Sequence, residues 1–389
     1  MSEIKVNSIK GVAASSAALT INNTDGTCTA NITNNLSNRN LIINGAMQVA
    51  QRGTSSTGTD YKTVDRFRCE FAGTDENPTQ SQHGLTSSDT GVFEKGFRNS
   101  YHIQNGDQTG GAGAADDIHI EYRIEAQDIS NSGWDYKSSS SFLTLSFWVK
   151  SSVAQNFYGF AQAVNATKRF PFETGSLTAD TWTKVTKTIQ GDSGLSFNTD
   201  TSAGLILNWV LYYGTNLTGS VTLNQWMALD NSNKTPNSTS TWYEADNATF
   251  EITGVQLEVG SVATDFEHRS YGQELALCQR YYYRETIQNA EYFNGLGKAD
   301  SDGNSIDLNL KFPVTMRTTP SAVEQTGDGN NYLIRGSSTL QCTGVPTYGD
   351  ATQHSATIRF TRSSHSISTN NVANCGSWGG SYLGFSAEL

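Results

Sequence analysis

Charged side chains are scarce in this sequence, and the basic ones are not clustered. They make up 16% of the 389 residues, and 37 acidic against 26 basic residues give a formal net charge of −11. Nucleic-acid binding requires grouped lysines and arginines that neutralise phosphates. The sequence therefore predicts a protein with no nucleic-acid partner.

Long apolar runs are also missing. No stretch approaches the roughly twenty apolar residues of a membrane-spanning helix. Residues 1–5, Met-Ser-Glu-Ile-Lys, lack the apolar core of a secretory signal. We expect no membrane insertion, and we expect the chain to be synthesised and folded in a cytoplasm.

Cysteine and histidine are few and dispersed. The five cysteines and six histidines form no Cys-x-x-Cys motif and no cluster with the spacing of metal ligands. We predict reduced, structural cysteines, no metal site and no cofactor. The cysteines are Cys28, Cys69, Cys278, Cys342 and Cys375.

The common sequence signatures of catalysis are absent as well. There is no Gly-x-Ser-x-Gly, no His-Glu-x-x-His and no phosphate-binding glycine-rich loop. A glycosidase needs only two carboxylates at a suitable separation, which the sequence does not reveal. The candidates are Asp116, Asp117, Glu121 and Glu125, or Glu244 and Asp246. We predict a protein without catalytic activity and keep the glycosidase as an alternative.

What the sequence has in quantity is Ser, Thr, Asn and Gly around short apolar runs, with only six prolines. Residues 118–125 alternate apolar and polar side chains, which predicts a strand with one buried and one solvated face. Two other segments are more continuously apolar, as central strands are, and Trp148 and Trp209 within them are predicted core residues. For residues 39–270 we expect a mostly β jelly-roll β-sandwich.

The sandwich is predicted to end in a strand and a short helix. Residues 250–257 have a strand pattern that Gly254 interrupts with a bulge. Ser270 and Gln273 form a Ser-x-x-Gln capping box, which predicts a connecting helix over residues 271–286. The apolar face of this helix comprises Leu275, Cys278 and Tyr281 or Tyr282. Such a helix braces two β domains, since its single apolar stripe needs a sheet to cover it.

Two segments flank this central part. Residues 287–389 start a new strand pattern and predict a second, smaller C-terminal β-sandwich. Residues 1–38 are polar and bury too little to fold alone. They are either a flexible leader or a short β segment that becomes stable when three copies wrap together. Their alternating apolar residues are Ile4, Val6, Ile9, Leu19 and Ile21.

Several motifs are familiar in this order. Residues 40–53 and 61–67, followed by residues 250–284 and 313–320, resemble tail fibres and related receptor-binding proteins of tailed bacteriophages. The resemblance extends over about residues 38–320. It implies a homotrimeric structural protein of the virion tail, assembled in the host cytoplasm.

The resemblance also assigns roles to the two ends of the chain. It implies that residues 1–38, through Ile4, Val6, Ile9, Leu19 and Ile21, form a virion-attachment and trimerisation segment that binds a tail adaptor, a nozzle or the capsid. It further implies that the C-terminal β-sandwich is a receptor-binding tip for a host-surface glycan. Aromatic residues among polar neighbours are the candidate ligand-binding residues, namely Tyr348, Trp378, Tyr382, Trp242 and Tyr243.

Residues 39–270 also resemble jelly-roll carbohydrate-binding modules of polysaccharide hydrolases. Those modules commonly hold a structural calcium through an acidic residue in the closing strand. Thr253 and Gly254 occupy that place here, so no calcium site is predicted. Three alternatives remain: a head fibre or capsid decoration protein, a polysaccharide-degrading tailspike enzyme, and a free carbohydrate-binding module, which the missing signal peptide disfavours.

Two neighbouring pairs are predicted to be structural ion pairs. Asp65 and Arg66 are expected to fix the first strands, and Glu267 and Arg269 are expected to pair near the helix start. Residues 281–284, Tyr-Tyr-Tyr-Arg, are expected to pack between domains.

Overall fold

The protein is described by a computed structural model that covers residues 8–9, 19–21, 28–30, 38–287, 291–300, 303–327, 329–336, 338–362 and 372–389. The fold is mostly β, as the sequence predicts. Three short antiparallel strands precede residue 38: β1 (Ser8–Ile9), β2 (Leu19–Ile21) and β3 (Cys28–Ala30). The predicted attachment residues Ile4 and Val6 lie outside the described residues.

The central domain is a β-sandwich of two six-stranded antiparallel sheets, which confirms the predicted architecture. Its strands are β4 (Ser55–Ser56), β5 (Phe67–Ala72), β6 (Thr79–Gly84), β7 (Asn99–Gln104), β8 (Asp117–Glu125), β9 (Phe142–Ser151), β10 (Asn156–Ala163), β11 (Lys168–Ser176), β12 (Thr183–Gln190), β13 (Ala203–Tyr213), β14 (Met227–Ala228) and β15 (Thr249–Val259). One sheet has the order β14-β11-β10-β13-β8-β5, and the other, called the β9 sheet below, has the order β12-β9-β15-β7-β6-β4.

The core of this domain lies between the two sheets. Along β8 the apolar residues at alternate positions are buried, from Ile118 to Ile124, because side chains alternate between faces along a strand. Trp209 of β13 is 1% exposed and packs edge-on against Phe147 of β9, with ring centroids 5.7 Å apart. The prediction that Trp209 is a core residue is therefore confirmed.

The predicted interruption of β15 is present at Gly254. The pairing of β15 with β9 shifts register between Thr253 and Gln256, and Gly254 has φ of 60°. A Cβ atom added at Gly254 would lie 2.5 Å from the Phe97 ring. Glycine is required here because the left-handed backbone and the close approach both exclude a side chain.

The C-terminal domain is a smaller β structure with its own core. Its strands are β16 (Tyr282–Thr286), β17 (Gly297–Ala299), β18 (Ser305–Lys311), β19 (Glu324–Gln325), β20 (Tyr332–Arg335), β21 (Thr339–Gln341), β22 (Thr347–Ala351), β23 (Ser355–Thr361), β24 (Val372–Ser377) and β25 (Tyr382–Ser386). They form a seven-stranded sheet, β21-β20-β24-β17-β18-β23-β22, and a three-stranded sheet, β16-β25-β19. Ile306, Ile358, Phe360 and Phe385 are buried in its core.

Three α-helices are present in the described residues: α1 (Ala126–Ser130), α2 (Thr241–Glu244) and α3 (Tyr271–Gln279). Helix α3 begins with the predicted capping box of Ser270 and Gln273. It ends earlier than the predicted residue 286, since Tyr282–Thr286 form β16 and pair with β25. The expected apolar face is also only partly correct, because α3 buries Glu274 and Cys278 while Leu275 is half-buried.

The buried carboxylate of Glu274 has a structural role at the domain junction. It accepts a hydrogen bond from the Asn44 backbone at 2.6 Å and one from Arg269 Nη1 at 3.2 Å. Arg269 also forms the predicted ion pair with Glu267, with Nη2 3.4 Å from the carboxylate. The helix is therefore held to the central domain by a buried charged side chain in addition to the buried Cys278.

The predicted pair of Asp65 and Arg66 is not formed. Arg66 has φ of 72°, a left-handed backbone conformation, and its side chain has other partners. The Arg66 guanidinium is 1% exposed, pairs with Glu388 and lies 3.4 Å from the Tyr281 ring centroid. Asp65 instead accepts a hydrogen bond from the Gln51 backbone at 2.8 Å.

The last residues of the chain return to the central domain. Glu388 pairs with Arg66 and with Arg52, whose Nη1 is 3.2 Å away, and Arg123 donates to the Leu389 carbonyl at 2.8 Å. This cluster of residues 387–389 with the arginines of the central domain is called the junction latch below. It covers part of the β8 face that the alternation predicts to be solvated.

Candidate functional site

Two of the five predicted ligand-binding residues are core residues, which corrects that prediction. Trp242 is 0% and Tyr243 is 1% exposed. The Trp242 indole donates to the Thr249 carbonyl at 3.0 Å, and the Tyr243 ring stacks on Tyr212 at 4.3 Å between centroids. Both rings belong to the short helix α2, which exposes its polar residues Thr241 and Glu244 and buries the two aromatic ones.

The other three lie in the C-terminal domain but do not form one site. Trp378 is 50% exposed in the turn after β24, and the half-buried Tyr382 ring is covered by the Arg284 guanidinium at 3.5 Å. Tyr348 lies in β22, four strands away from β24, which places it roughly 19 Å from that strand at the usual strand spacing. Its hydroxyl donates to the Pro320 carbonyl. Only Trp378 presents a largely exposed ring.

A cleft on the outer face of the β9 sheet combines aromatic and polar side chains. Its volume is about 410 Å³. It is lined by Glu94, Lys95, Phe97, Ser146, Trp148, Lys184, Gly254, Asp265, Phe266 and His268. This sheet face and the two loops beside it, residues 85–98 and 260–270, form the cleft that we call the Trp148 cleft.

Trp148 was predicted to be a core residue, and the structure places it on the outer face instead. In β9, Leu143, Leu145, Phe147 and Val149 are buried between the sheets, and Trp148 alternates with them and is half-buried. The alternation was readable from the sequence, but the apolar character of the whole segment obscured it. Lys184 is the direct cross-strand partner of Trp148 and shares its face.

The opposite wall of the cleft consists of three rings in contact with one another, those of Phe97, Phe266 and His268. Phe97 and Phe266 pack edge to face with centroids 5.0 Å apart, and His268 lies 4.9 Å from Phe266. His268 Nε2 donates a hydrogen bond to the Lys95 carbonyl at 2.8 Å. This contact ties the loop of residues 260–270 to that of residues 85–98, so the two sides of the cleft are joined.

A partly buried charge network anchors the first of these loops on the sheet. Lys150 Nζ lies 3.2 Å from Asp89 and 2.9 Å from Glu251, and the Trp182 indole donates to Asp89 at 3.1 Å. Burial would raise the pKa of Asp89, but hydrogen bonds from the Thr86 backbone, Trp182 and Lys150 outweigh it and lower the pKa to about 2. Asp89 is therefore ionised at neutral pH and holds the loop beside Trp148.

The charged side chains in the cleft differ in whether another group of the protein binds them. Glu94 accepts a hydrogen bond from the Gly91 backbone at 2.6 Å. Among the residues that the structure describes, Lys95 and Lys184 have no carboxylate within 4.0 Å, in contrast to Lys150. Asp265 is exposed. The cleft thus offers two ammonium groups and a free carboxylate next to flat rings.

The carboxylates named as glycosidase candidates lie elsewhere, and none lines this cleft. Glu125 is bound by Arg280 at 2.8 Å and by the Tyr281 hydroxyl at 2.6 Å. Burial would raise the pKa of Glu125, but these hydrogen bonds lower it below its usual value. Glu121 is bound by Arg68 and Arg123. Both therefore serve the protein's internal structure.

The described residues give no support for a metal ion. Within them, no group of three or more His, Cys, Asp or Glu side chains could hold one. At the calcium position of the carbohydrate-binding modules, the buried Thr253 hydroxyl donates to the Asn99 carbonyl at 2.7 Å, and Gly254 faces the Phe97 ring. These residues do not fit a calcium site. In the same part of the chain, no helix is long and apolar enough to cross a membrane.

Two further cavities lie at the domain junction and share Asn38, Arg269 and Leu277. One has a volume of about 650 Å³ and extends over α1, and the other has about 590 Å³ and extends over α3 towards Val314. Neither is lined by a Phe, Tyr or Trp side chain, in contrast to the Trp148 cleft, although His268 lines both that cleft and the second cavity.

No protein-family model and no curated protein matches the chain. Among solved structures, the enzymatically active domain of tailspike protein 4 of bacteriophage CBA120 is similar over 57% of this chain and 21% of its own, with 9% identity and a TM-score of 0.29. A family 11 carbohydrate-binding module of a Clostridium thermocellum cellulosomal cellulase is similar over 56% of this chain and 98% of its own, with 12% identity and a TM-score of 0.24. An exo-beta-agarase is similar over 87% of this chain and 50% of its own, with 9% identity and a TM-score of 0.30. The chain thus spans about a fifth of the tailspike structure.

Proposed function

We propose that this protein is a tail fibre of a bacteriophage virion that attaches the particle to its host by binding a surface glycan without cleaving it. The observation that carries the proposal is the Trp148 cleft. Sugar rings pack their C–H faces on flat aromatic side chains, while polar groups at the rim bond to the hydroxyls. Trp148 supplies the flat ring, and Ser146, Lys184 and Asp265 supply the polar groups.

The proposed place of the protein on the particle rests on the motif resemblance of residues 40–53, 61–67 and 250–284. Residues 1–38 would attach to a tail adaptor or nozzle, and the chain would act as a homotrimer. Three copies would present three clefts, and simultaneous binding raises the avidity of a weak site by orders of magnitude.

The test compares the half-buried Trp148 with the exposed Trp378 in affinity electrophoresis through gels that contain bacterial capsular or O-antigen polysaccharides. Trp148→Ala is expected to abolish retardation by the bound polysaccharide, and Trp378→Ala, at the tip predicted from the sequence, is the matched control. Near-ultraviolet circular dichroism checks that both variants fold. Retardation lost only in Trp378→Ala would move the site to the tip, and no retardation of the unmodified protein by any polysaccharide would refute glycan binding.

A second function is favoured by one observation, namely that two carboxylates, Glu94 and Asp265, line the same cleft. Glycoside hydrolysis requires such a pair. Incubation of the protein with each bound polysaccharide and an assay for new reducing ends separates the two functions. We expect no release, and release that Glu94→Gln or Asp265→Asn abolishes would establish a tailspike-type enzyme.

The alternative of a head fibre or capsid decoration protein differs only in location on the virion. The unmodified protein and a variant that starts at Arg39 would be compared for binding to purified tails and to empty capsids. Binding to tails supports the tail fibre, and binding to capsids alone would support the head fibre.

A further inference from the structure

If the Trp148 cleft binds glycans as proposed, its charged side chains indicate which class of glycan it binds. Lys184 lies directly across from Trp148 on the neighbouring strand, and Cβ atoms of such partners are about 5 Å apart. A sugar ring stacked on Trp148 would therefore bring its substituents within reach of the Lys184 ammonium. Lys95 lines the same cavity from the loop side.

Neither ammonium group is neutralised by the protein in the part of the chain that is described. Lys95 and Lys184 have no carboxylate within 4.0 Å. The cleft does contain two carboxylates, but they are placed differently. Glu94 accepts the Gly91 N–H at 2.6 Å and so serves its own loop, while Asp265 lies on the loop of residues 260–270. The two lysines are thus free to bind an anionic group of the ligand.

We propose that the cleft binds an acidic glycan, with a sugar ring stacked on Trp148 and the anionic group of that sugar or its neighbour bound by Lys184 and Lys95. The chemistry that both lysines recognise is a negatively charged oxygen group, which is a carboxylate in uronic or related acidic sugars and a phosphate in phosphorylated glycans. Ammonium groups bind either anion through charge-assisted hydrogen bonds. Asp265 then accepts hydrogen bonds from sugar hydroxyls.

The experiment uses the full-length protein on an array of bacterial polysaccharides that includes neutral and acidic polymers. Every polymer that binds is retested after chemical reduction of its carboxyl groups and, separately, after removal of its phosphates with hydrofluoric acid. Binding that either treatment abolishes supports the proposal and identifies the anion. Binding that both treatments leave unchanged, or binding to neutral polymers, overturns the acidic-glycan inference while glycan binding itself stands. No binding to any polymer would overturn the proposed function instead.

Lysine variants locate the anion-binding group. Lys184→Gln is expected to weaken binding to the acidic polymer about tenfold or more, the effect of losing one charge-assisted hydrogen bond. The control is Lys187→Gln. Lys187 lies on the same strand, but its side chain is on the opposite, inner face together with those of Val185 and Ile189. Binding of the unmodified protein should fall as salt rises from about 0.01 M to about 1 M, since the screening length shortens from about 30 to about 3 Å. Equal affinities of the two lysine variants would contradict the proposal.

Discussion

At the scale of single residues, Asp65 is a carboxyl group that the fold buries completely next to the domain junction. It is 1% exposed, and burial raises its pKa to about 6 although hydrogen bonds from Gln51 and the charge of Arg52 oppose the shift. The unfolded chain ionises this group near pH 3.8. Ionisation therefore costs more in the folded state, and the contribution of Asp65 to stability is largest at low pH.

This difference in the pKa of Asp65 between the folded and unfolded states predicts how its contribution to stability changes with pH. As pH rises from about 4 to about 6, unfolding releases a proton from Asp65 that the folded state retains, so the contribution of Asp65 to the free energy of unfolding should fall by an amount on the order of 3 kcal/mol. Asp65→Asn removes the titration. Urea unfolding across this pH range gives the free energy of unfolding of both proteins. That of the variant should increase relative to that of the unmodified protein as pH rises. Parallel pH profiles of the two proteins would contradict this assignment.

Two tryptophans show which aspects of side-chain burial the sequence reveals and which it does not. Trp148 could have been assigned to the outer face, since it is out of phase with Leu145, Phe147 and Val149. Trp242 could not have been assigned from its polar neighbours, because its burial depends on Thr249 and on Gln155, which are brought to it by tertiary folding. Local polarity predicts an exposed loop here, whereas Trp242 lies in the short helix α2 and its ring is buried.

At the scale of elements, local rules predicted where α3 begins and where β15 is interrupted, but not where α3 ends. The capping box at Ser270 and the bulge at Gly254 are set by short-range geometry, and both are present. The end of α3 was missed because Tyr282–Thr286 pair with β25, a strand about one hundred residues further along the chain. Aromatic runs favour strands when a partner strand exists, and the sequence does not show the partner.

The bulge at Gly254 gives a prediction for β15. Gly254→Ala places a methyl group at φ of 60° and 2.5 Å from the Phe97 ring, so both backbone strain and a clash should destabilise the fold by about 3 kcal/mol or more. The control is Gly133→Ala, where φ is 84° but no atom lies within 4 Å of the added Cβ. That variant should lose about 1 to 2 kcal/mol of stability, from backbone strain alone. Urea unfolding measures both, and equal losses would mean that the Phe97 contact yields without strain.

The cap at Ser270 gives a second prediction at this scale. Its hydroxyl accepts the Gln273 N–H at 3.4 Å, and the Gln273 side chain accepts the Ser270 N–H at 3.1 Å. Ser270→Ala should destabilise the protein by about 1 kcal/mol, while Ser270→Asp, which retains an acceptor, should lose much less. Chemical unfolding of both variants provides the measurement. A similar loss in the two would assign the effect to something other than capping.

At the scale of the whole molecule, the junction latch connects two domains that each have a separate core. Arg317 adds to it, since its Nη2 donates to the Glu388 carbonyl at 2.6 Å and its Nη1 to the Thr201 carbonyl at 2.8 Å. The side chains of Arg66 and Glu388 are 1% and 7% exposed. Buried charges of this kind are costly to leave without a partner.

The latch predicts cooperative unfolding of the two domains. The unmodified protein should unfold in one calorimetric transition, and Arg66→Ala should lower stability by at most about 3 to 5 kcal/mol, because the buried Glu388 then loses one of its two partners and keeps only Arg52. The transition should also separate into two, as the cores uncouple. Lys168→Ala is the control, since its pair with Asp192 is about 30% exposed and contributes at most about 1 kcal/mol. A single transition in Arg66→Ala would show that other contacts couple the domains.

The assembly of the whole molecule is the remaining prediction, and it depends on the strands that precede residue 38. These strands have only two or three residues each, and Ile9 is 51% exposed in the single chain. Sheets this small bury too little apolar surface to be stable alone, and three copies would cover the exposed side chains of one another. Light scattering should therefore give three chain masses for the full-length protein and one for a variant that starts at Arg39. A trimer at both lengths would place the interface in the β domains, whereas a monomer at both lengths would argue against a fibre and in favour of a free glycan-binding module.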